Sequence, residues 1–449
     1  MRKKRFSFST TQLILLSFLF AVMIGSVLLS LPLSSKTGKS VSYIDALFTS
    51  TTSVCVTGLV TVPTFSTWSF FGQLVILALI QIGGLGIITV MSMLMILLHR
   101  KIGIGNRILI QDSFNLNSLS GLVSFVRKVV FGTLIIEGAG ALCYMTVFIP
   151  EYGAKGIWIS IFNSISAFCN AGIDIIAEDS LCHYATNPII NLVTCALIIV
   201  GGIGFIVWWD VLSVLKNKRH NRIRNFSLHS KIALSMTAFL IVSGAILFFV
   251  FEYNNPKTMA GYSLFDKIQI SIFQSVTTRT AGFATIPQQY LTNASSMVSL
   301  FLMFIGGSPV GTAGGIKTVT IAILFATAVS AVKNRNEVNL YNRNISRHSI
   351  IKAIGVLGMS FMTVFISTVL LSLVSDAEIL DVLYETVSAT ATVGLTRNLT
   401  VTLDTLGKII IIVTMYLGRV GPISLAVAFG MKKKSENIIK NPTEEISVG

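Results

Sequence analysis

Charged residues are scarce in this sequence. They make up 12% of the 449 residues, whereas 53% are hydrophobic and the mean hydropathy is +0.77. So little polar material cannot cover the surface of a soluble protein of this length. The hydrophilic connections between apolar stretches are also too short to hold a soluble domain. The composition therefore excludes a soluble globular protein and indicates a chain that crosses a membrane several times.

Residues that carry chemistry are equally few. The five cysteines, at positions 55, 143, 169, 182 and 195, form no C-x-x-C motif, and the five histidines are scattered. No nucleophile–base pair, metal-ligand spacing or chain of buried carboxylates is visible. These absences exclude an enzyme and a proton-relay protein, and we expect this chain to bind no cofactor and no metal centre.

Long apolar stretches, in contrast, are abundant. Eight of them are long enough to span a bilayer, which takes about 20 helical residues. They cover residues 11–33, 70–98, 129–149, 188–215, 232–251, 297–332, 350–374 and 406–430. No small-residue cleavage site follows the first, so we interpret it as a membrane helix rather than a signal peptide. The sequence thus predicts an all-α integral membrane protein with eight transmembrane helices.

The net charge of +15 is concentrated in alternate connections. Basic clusters occur at 2–5, 99–107, 216–224, 333–348 and 432–434. Because basic connections stay on the cytoplasmic side of a membrane, this pattern predicts that both termini are cytoplasmic, and it needs no nucleic-acid partner. The alternative interpretation is a basic face for a cytosolic partner or for membrane lipids.

Four outer connections share one pattern: a short helix-compatible run rich in Ser and Thr, then one Gly and a large apolar residue. They read IDALFTSTTSVCVTGL (44–59), WISIFNSISAFCNAGI (158–173), IQISIFQSVTTRTAGF (268–283) and LDVLYETVSATATVGL (380–395). Their glycines, at 58, 172, 282 and 394, are 114, 110 and 112 residues apart. Ten positions earlier stand Phe48, Phe162, Ile272 and Tyr384.

A second mark follows each of these glycines. It reads GGLG from Gly83, GGIG from Gly201, GGSPVGTAGG from Gly306 and GRVG from Gly418. Two marks in fourfold register predict four tandem units of helix, re-entrant pore helix, loop and second helix around a pseudo-fourfold axis. We place these units at residues 1–105, 106–222, 223–340 and 341–434, followed by a cytoplasmic tail at 435–449.

The four loops predict an ion filter. Irregular backbone at membrane depth is stable only where protein buries it or where it lines a water-filled path. Four such loops around one axis can replace the hydration shell of a cation with their carbonyl groups, and glycine suits them because it tolerates a positive φ angle. The predicted filter residues are Val56, Thr57, Gly58, Asn170, Ala171, Gly172, Thr280, Ala281, Gly282, Thr392, Val393 and Gly394.

The second helix of the third unit contains GGSPVGTAGGIKT at 306–318. A continuous helix there would cost about 1 kcal/mol for each Gly and about 3 kcal/mol for Pro. We interpret the segment as a flexible gate below the filter, since we expect ordinary helix at this place in the other units; the alternative is a packing kink. Its residues are Gly306, Gly307, Ser308, Gly311, Thr312, Gly314, Gly315 and Lys317.

Arg419 lies inside the last apolar stretch, at the depth of the predicted gate. A charge at membrane depth is costly, so it must face water or a partner. We interpret Arg419 as a positive charge in the pore below the filter. The alternative is an arginine that snorkels to the inner interface.

These loops, the glycine marks and the interrupted helix resemble the Trk/Ktr/HKT superfamily of potassium transporters, and most of all the membrane subunit of the bacterial Ktr system. The resemblance implies uptake of K⁺ across the plasma membrane of a bacterium, often linked to Na⁺. It also implies a homodimer with one pore per subunit. A cytosolic ring of RCK-type regulatory subunits would bind the nucleotide.

Three further expectations concern alternatives and single charges. A carrier for a small organic solute is the rival function, although its inverted repeats are not visible. Arg279, three residues before Gly282, is expected to turn away from the filter and to pair with an acid such as Glu385. Glu137 is expected to be a hydrogen-bond acceptor between helices, outside the pore.

Overall fold

The computed structural model describes residues 10–98, 121–216, 226–335 and 337–421, together with the single residues 108 and 111. The basic clusters at 2–5, 99–107 and 432–434, most of 216–224, and the tail at 435–449 lie outside the described residues. Within the described ranges the chain is almost entirely helical. Its only sheet there is a small antiparallel hairpin of Asn339–Leu340 and Arg343–Asn344.

The helices form four successive sets, each with a first helix, a pore helix and a second helix, as the repeats predict. The first helices are Thr10–Ser30, Leu122–Tyr152, Leu228–Glu252 and Arg347–Val374. The pore helices are Tyr43–Cys55, Lys155–Cys169, Leu264–Thr277 and Ile379–Ala391. The second helices are Phe70–Leu85 with Ile87–Leu97, Pro188–Ile203 with Phe205–Lys216, Asn293–Phe304 with Thr318–Val332, and Thr405–Val420. Short helical turns occupy the outer connections at Pro32–Ser34, Thr64–Thr67, Cys182–Tyr184, Gln288–Tyr290 and Thr400–Thr402.

The predicted fold class is therefore confirmed, and the chain is a multi-pass membrane protein. Among the described residues, four helices are long and apolar enough to cross a membrane, or six if each bent pair counts as one span. The remaining second helices do not reach that length, because a loop splits one of them and the described part of the other ends at Gly421. The predicted unit boundaries near 105 and 222 fall outside the described residues and stay predictions.

The expectation of ordinary helix at the second mark of the other units is wrong. The second helices of the first two units bend by 97° and 98°, at Gly86 and Gly204. Both glycines have positive φ angles, 82° and 99°, and Gly421 has φ 85° where the fourth unit's second helix ends. Each closes the GGLG, GGIG or GRVG mark, so these marks encode a break because only glycine adopts this backbone without strain. The third unit differs by having a whole loop, residues 305–317, at the break; we refer to it as the unit-three loop.

A repeated hydrogen bond holds the pore helices against the first helices. In three units a serine hydroxyl of the pore helix donates to a carbonyl of the first helix, one turn before a glycine that leaves room for the serine. The pairs are Ser50 to Val22 at 2.7 Å, Ser164 to Glu137 at 2.6 Å and Ser275 to Ile241 at 2.8 Å, with Gly25, Gly140 and Gly244 making the room. In the fourth unit two hydroxyls meet instead, those of Thr368 and Thr386, 2.7 Å apart.

Candidate functional site: four loops around one axis above an inner loop

The four filter glycines lie side by side in a closed ring. A Cβ atom built on Gly58, Gly172 or Gly282 would lie 2.5–2.6 Å from the carbonyl oxygen of the residue before the next glycine, Ala171, Ala281 or Val393. One built on Gly394 would strike the carbonyl of Thr57, which closes the ring. All four glycines have positive φ angles, between 63° and 98°. The ring therefore needs glycine for two reasons, its backbone angle and its lack of a side chain.

Each loop is fixed from behind by the pore helix that precedes it. The residue two before each glycine, Val56, Asn170, Thr280 or Thr392, has φ between 52° and 67° and turns the chain out of the helix. The next N–H group bonds back into the pore helix, as in Thr57 to the Thr52 carbonyl at 2.9 Å. The Thr52 hydroxyl also accepts from the N–H of Gly58 at 2.9 Å. With their N–H groups satisfied from behind, the loops leave carbonyl oxygens for the ring.

The supporting hydroxyl recurs in every unit and was not singled out in the sequence. Ser388 accepts from the N–H of Gly394 at 3.0 Å, and Ser166 accepts from the N–H of Ile173 at 3.1 Å. Together with Thr52 they stand six residues before their glycines. This explains why the pore helices are rich in Ser and Thr.

The third unit is shorter than the others by one residue at this place. Its supporting hydroxyl is that of Thr277, which stands five residues before Gly282 and donates to the Phe283 carbonyl at 2.6 Å. The matching aromatic residue is therefore Phe273, which is fully buried, and Ile272, although it stands ten positions before its glycine, is not the structural equivalent of Phe48, Phe162 and Tyr384. Ile272 is 42% exposed because the missing residue rotates it to the outside of the pore helix.

The unit-three loop packs along the bend of the neighbouring second helix. The N–H of Ser308 donates to the Gly202 carbonyl at 2.8 Å, and the N–H of Phe205 donates to the Val310 carbonyl at 2.8 Å. The hydroxyl of Ser308 also lies 2.9 Å from that of Thr318, the first residue of the following helix. The bend at Gly204 thus exposes backbone groups that the loop satisfies.

The same loop reaches the inner end of the filter at two units. The hydroxyl of Thr312 donates to Oδ1 of Asn170 at 2.9 Å and lies 3.1 Å from the Phe168 carbonyl. At the fourth unit, a Cβ atom on Gly314 would collide with the Thr392 hydroxyl. The loop therefore spans from the second filter loop to the fourth, directly against residues two before their glycines.

Two cations hold the loop through its carbonyl oxygens. Arg419 donates to the Thr312 carbonyl at 2.7 Å and to the Gly83 carbonyl at 2.5 Å, so it links the loop to the first unit. Lys317 donates to the carbonyls of Ala313 at 2.5 Å and Gly314 at 3.4 Å. In the described part of the chain, neither cation has a carboxylate within salt-bridge distance. Arg419 therefore lies against the loop as an unneutralised charge.

The expected partner of Arg279 is wrong. Arg279 is buried behind the third filter loop and makes weak contacts with the Thr237 hydroxyl at 3.4 Å and the Gly306 carbonyl at 3.5 Å. Glu385 instead accepts hydrogen bonds from the hydroxyls of Thr396, at 2.7 Å, and Thr400. Arg279 thus contacts the first helix and the loop of its own unit, and Glu385 contacts the outer connection that follows its pore helix. The sequence could not predict these partners, because contacts with carbonyl and hydroxyl groups leave no pattern of opposite charges.

Glu137 joins two units, as expected. Its carboxylate accepts from Nε2 of Gln81 in the first unit at 3.2 Å, and it is buried. At the outer side, Lys408 of the fourth unit pairs with Asp45 of the first at 2.7 Å, a contact that the sequence did not suggest. These two bonds tie the first unit to its neighbours on both sides.

Comparison with known proteins gives this geometry a family. The TrkH family of cation transport proteins matches residues 4–441. The chain is 38% identical to the potassium/sodium uptake protein NtpJ of Enterococcus hirae, covering 100% of this chain and 99% of that protein. It is also 38% identical to the Ktr system potassium uptake protein B of Bacillus subtilis, covering 98% of this chain and 97% of that protein.

Its fold is similar to that of the potassium transporter TrkH from Vibrio parahaemolyticus, with a TM-score of 0.74 and 17% identity, covering 96% of this chain and 86% of that one. At that identity the likeness concerns the fold, and the sequence matches carry the assignment. The chain belongs to the TrkH family of cation transport proteins and is a transporter rather than an enzyme.

Proposed function

We propose that this chain takes up potassium ions through the ring of four glycine loops. The observation that carries the proposal is the ring itself, in which each glycine packs against the carbonyl of the next unit. Such a ring supplies oxygen ligands without a fixed carboxylate, which suits a monovalent cation. The names of the relatives, a potassium/sodium uptake protein and a Ktr potassium uptake protein, support the same ion.

The filter should discriminate K⁺ from Na⁺ less strictly than a ring of four identical loops. Each unit contributes one glycine, and the residues beside it differ from unit to unit. The third loop is also shorter by one residue, so its carbonyls cannot repeat the geometry of the others. Sodium therefore enters the proposal as the coupled or competing ion.

The unit-three loop is proposed as the gate, with Arg419 as its electrostatic companion. The loop lies against the inner end of two filter loops, and Arg419 and Lys317 add two positive charges there. Backbone and fixed cations in this position oppose the exit of K⁺ towards the cytoplasm. The loop has no helix or strand of its own, and its five glycines give its backbone access to other conformations once these contacts are released.

We further propose that the chain works as a homodimer with a cytosolic ring of RCK-type subunits that bind the regulatory nucleotide, in the plasma membrane of a bacterium with both termini inside. The relatives named as Ktr system proteins support a partner subunit. The basic segment 333–348 offers a docking surface, since Arg343 in its hairpin is exposed. Replacing Arg343 and Arg347 by Gln should reduce co-purification of the partner at physiological salt, and unchanged recovery would reject this surface.

Flux into proteoliposomes that contain the purified chain tests the transport proposal. Uptake of isotopic K⁺, Rb⁺ and Na⁺ is compared with that of an organic solute mixture. We expect K⁺ and Rb⁺ to accumulate ahead of Na⁺. Transport of an organic solute with no cation flux would favour the carrier and reject the filter.

A further inference from the structure

In three of the four units, a polar side chain lies at the inner end of the filter, two residues before the glycine. These side chains are Asn170, Thr280 and Thr392, all fully buried, while the first unit has Val56 there. The hydroxyls of Thr280 and Thr392 and Nδ2 of Asn170 have no hydrogen-bond partner in the described ranges. Buried polar atoms normally have a partner, so the two hydroxyl oxygens are available as ligands for a cation, whereas the Nδ2 group is a donor and is not.

The unit-three loop reaches two of these three side chains. The Thr312 hydroxyl donates to Oδ1 of Asn170 at 2.9 Å, and the backbone at Gly314 fits so closely against the Thr392 hydroxyl that a Cβ atom would not fit. The hydrogen bond from Thr312 occupies one of the two lone pairs of this amide oxygen and draws electron density towards the proton. A cation at this level would therefore find a weaker oxygen ligand than a free amide.

We propose that Thr312 competes with the permeating cation for the amide oxygen of Asn170, so that docking of the unit-three loop and cation occupancy of the inner end of the filter disfavour each other. The inference rests on the proposed function and adds its regulation. The ligand is a monovalent cation that prefers oxygen, and the coupling is reciprocal. A cation at the inner end releases the loop, and a docked loop lowers the affinity of that end for the cation.

The expected size of the effect follows from one hydrogen bond. A neutral hydrogen bond of this kind shifts an equilibrium roughly 2- to 10-fold. Replacing Thr312 by Val removes the donor and keeps the shape of the side chain. Thr312→Val should therefore lower the K⁺ concentration for half-maximal effect by roughly 2- to 10-fold.

The loop offers a matched control. Ser308→Ala also removes a hydroxyl from the unit-three loop, but that hydroxyl is hydrogen-bonded to Thr318, the first residue of the following helix, rather than to Asn170. If loss of a hydroxyl merely loosened the loop, both variants should change the K⁺ concentration for half-maximal effect to the same extent. Competition for Asn170 predicts that only Thr312→Val raises cation affinity.

The test measures thermal unfolding of the purified full-length chain against K⁺ concentration, with choline keeping the ionic strength constant, and K⁺ uptake by the same proteins in proteoliposomes. We expect K⁺ to stabilise the natural protein, and Thr312→Val to reach half-maximal stabilisation and uptake at lower K⁺ than Ser308→Ala. If K⁺ neither stabilises nor enters with the natural protein, the proposed function fails. If the natural protein responds to K⁺ but the two variants share one half-saturation, the competition fails while the filter stands.

A double variant distinguishes an effect through Asn170 from a general effect of Thr312→Val on the pore. Asn170→Ala removes the contested oxygen, and in that background Thr312→Val should no longer change the K⁺ concentration for half-saturation. An equal shift in both backgrounds would overturn the role of Asn170. Should Asn170→Ala fail to fold, the comparison of Thr312→Val with Ser308→Ala still decides the question.

Discussion

Replacing Gly282 by Ser should damage the filter much more than replacing a glycine elsewhere. A Cβ atom on Gly282 would lie 2.6 Å from the Val393 carbonyl oxygen and 3.0 Å from Cα of Gly172, and its φ angle is 82°. The left-handed backbone costs a side chain about 1–2 kcal/mol. Overpacking costs about 1–3 kcal/mol. The ring must therefore absorb about 2–5 kcal/mol.

That energy has a measurable equivalent. Each 1.4 kcal/mol corresponds to a factor of ten in binding affinity. If all of this energy were lost from cation binding, the affinity of the ring for K⁺ would fall at least about 30-fold. We expect Gly282→Ser to raise the K⁺ concentration for half-maximal uptake by at least about tenfold, since part of the energy falls on the fold rather than the site. Preference for K⁺ over Na⁺ should fall as well, because the displaced carbonyl belongs to the ring.

Two control glycines separate the contributions. Gly38 has a φ angle of 68° but nothing within 4 Å of its Cβ position, so Gly38→Ser tests backbone strain alone. Gly138 is helical and equally open, so Gly138→Ser tests the new hydroxyl alone. Competition uptake assays with K⁺ and Na⁺ on all three variants measure the difference. A folded Gly282→Ser protein with the affinity and preference of the Gly138 control would refute the ring.

Three other changes test the gate and the outer mouth. Deleting 310–314 should raise K⁺ flux several-fold and make it less dependent on a cytosolic partner, since it removes backbone beneath the filter; a folded deletion that conducts no faster would move the gate elsewhere. Arg419→Ala should also raise flux, because it releases the Thr312 carbonyl and removes a positive charge. Arg419→Lys, measured in parallel, should stay closer to the natural protein, and equal flux from both variants would assign the effect to geometry. Burial raises the pKa of the Asp174 carboxyl, in the outer connection, to about 6. It therefore gains its proton as external pH falls through about 6 and uptake at low K⁺ should drop; a drop that persists in Asp174→Asn would contradict this assignment.

Most of the glycine ring could be predicted from the sequence because it depends on backbone, whereas its role as an ion filter stays a prediction. A positive φ angle and a missing side chain require glycine, so Gly58, Gly172, Gly282 and Gly394 are visible as letters in register. The unit-three loop was visible for the same reason. A position that only glycine can occupy is recognisable in the sequence without knowledge of the residues that surround it in the fold.

The sequence-based predictions failed where the residue type alone does not determine the backbone geometry. Glycines in membrane helices often serve close helix packing, so the role of Gly86 and Gly204 as bends could not be separated from packing in the sequence. Counting backwards from Gly282 assumed equal loop lengths, and one missing residue moved the match from Ile272 to Phe273. The three matching residues Phe48, Phe162 and Tyr384 are aromatic, and this could have pointed to Phe273 instead of Ile272.

The four sides of the ring belong to one chain, and this has a consequence for how such a pore changes over generations. In a pore assembled from four copies of one subunit, each mutation alters every side at once. Here a substitution beside Gly58 changes the sequence of one loop only, and the residues of the loops at Gly172, Gly282 and Gly394 stay as they are. Selectivity can thus be adjusted one quarter at a time. The short third loop, with its buried Arg279, is a variation that a ring of identical subunits would have to carry four times over.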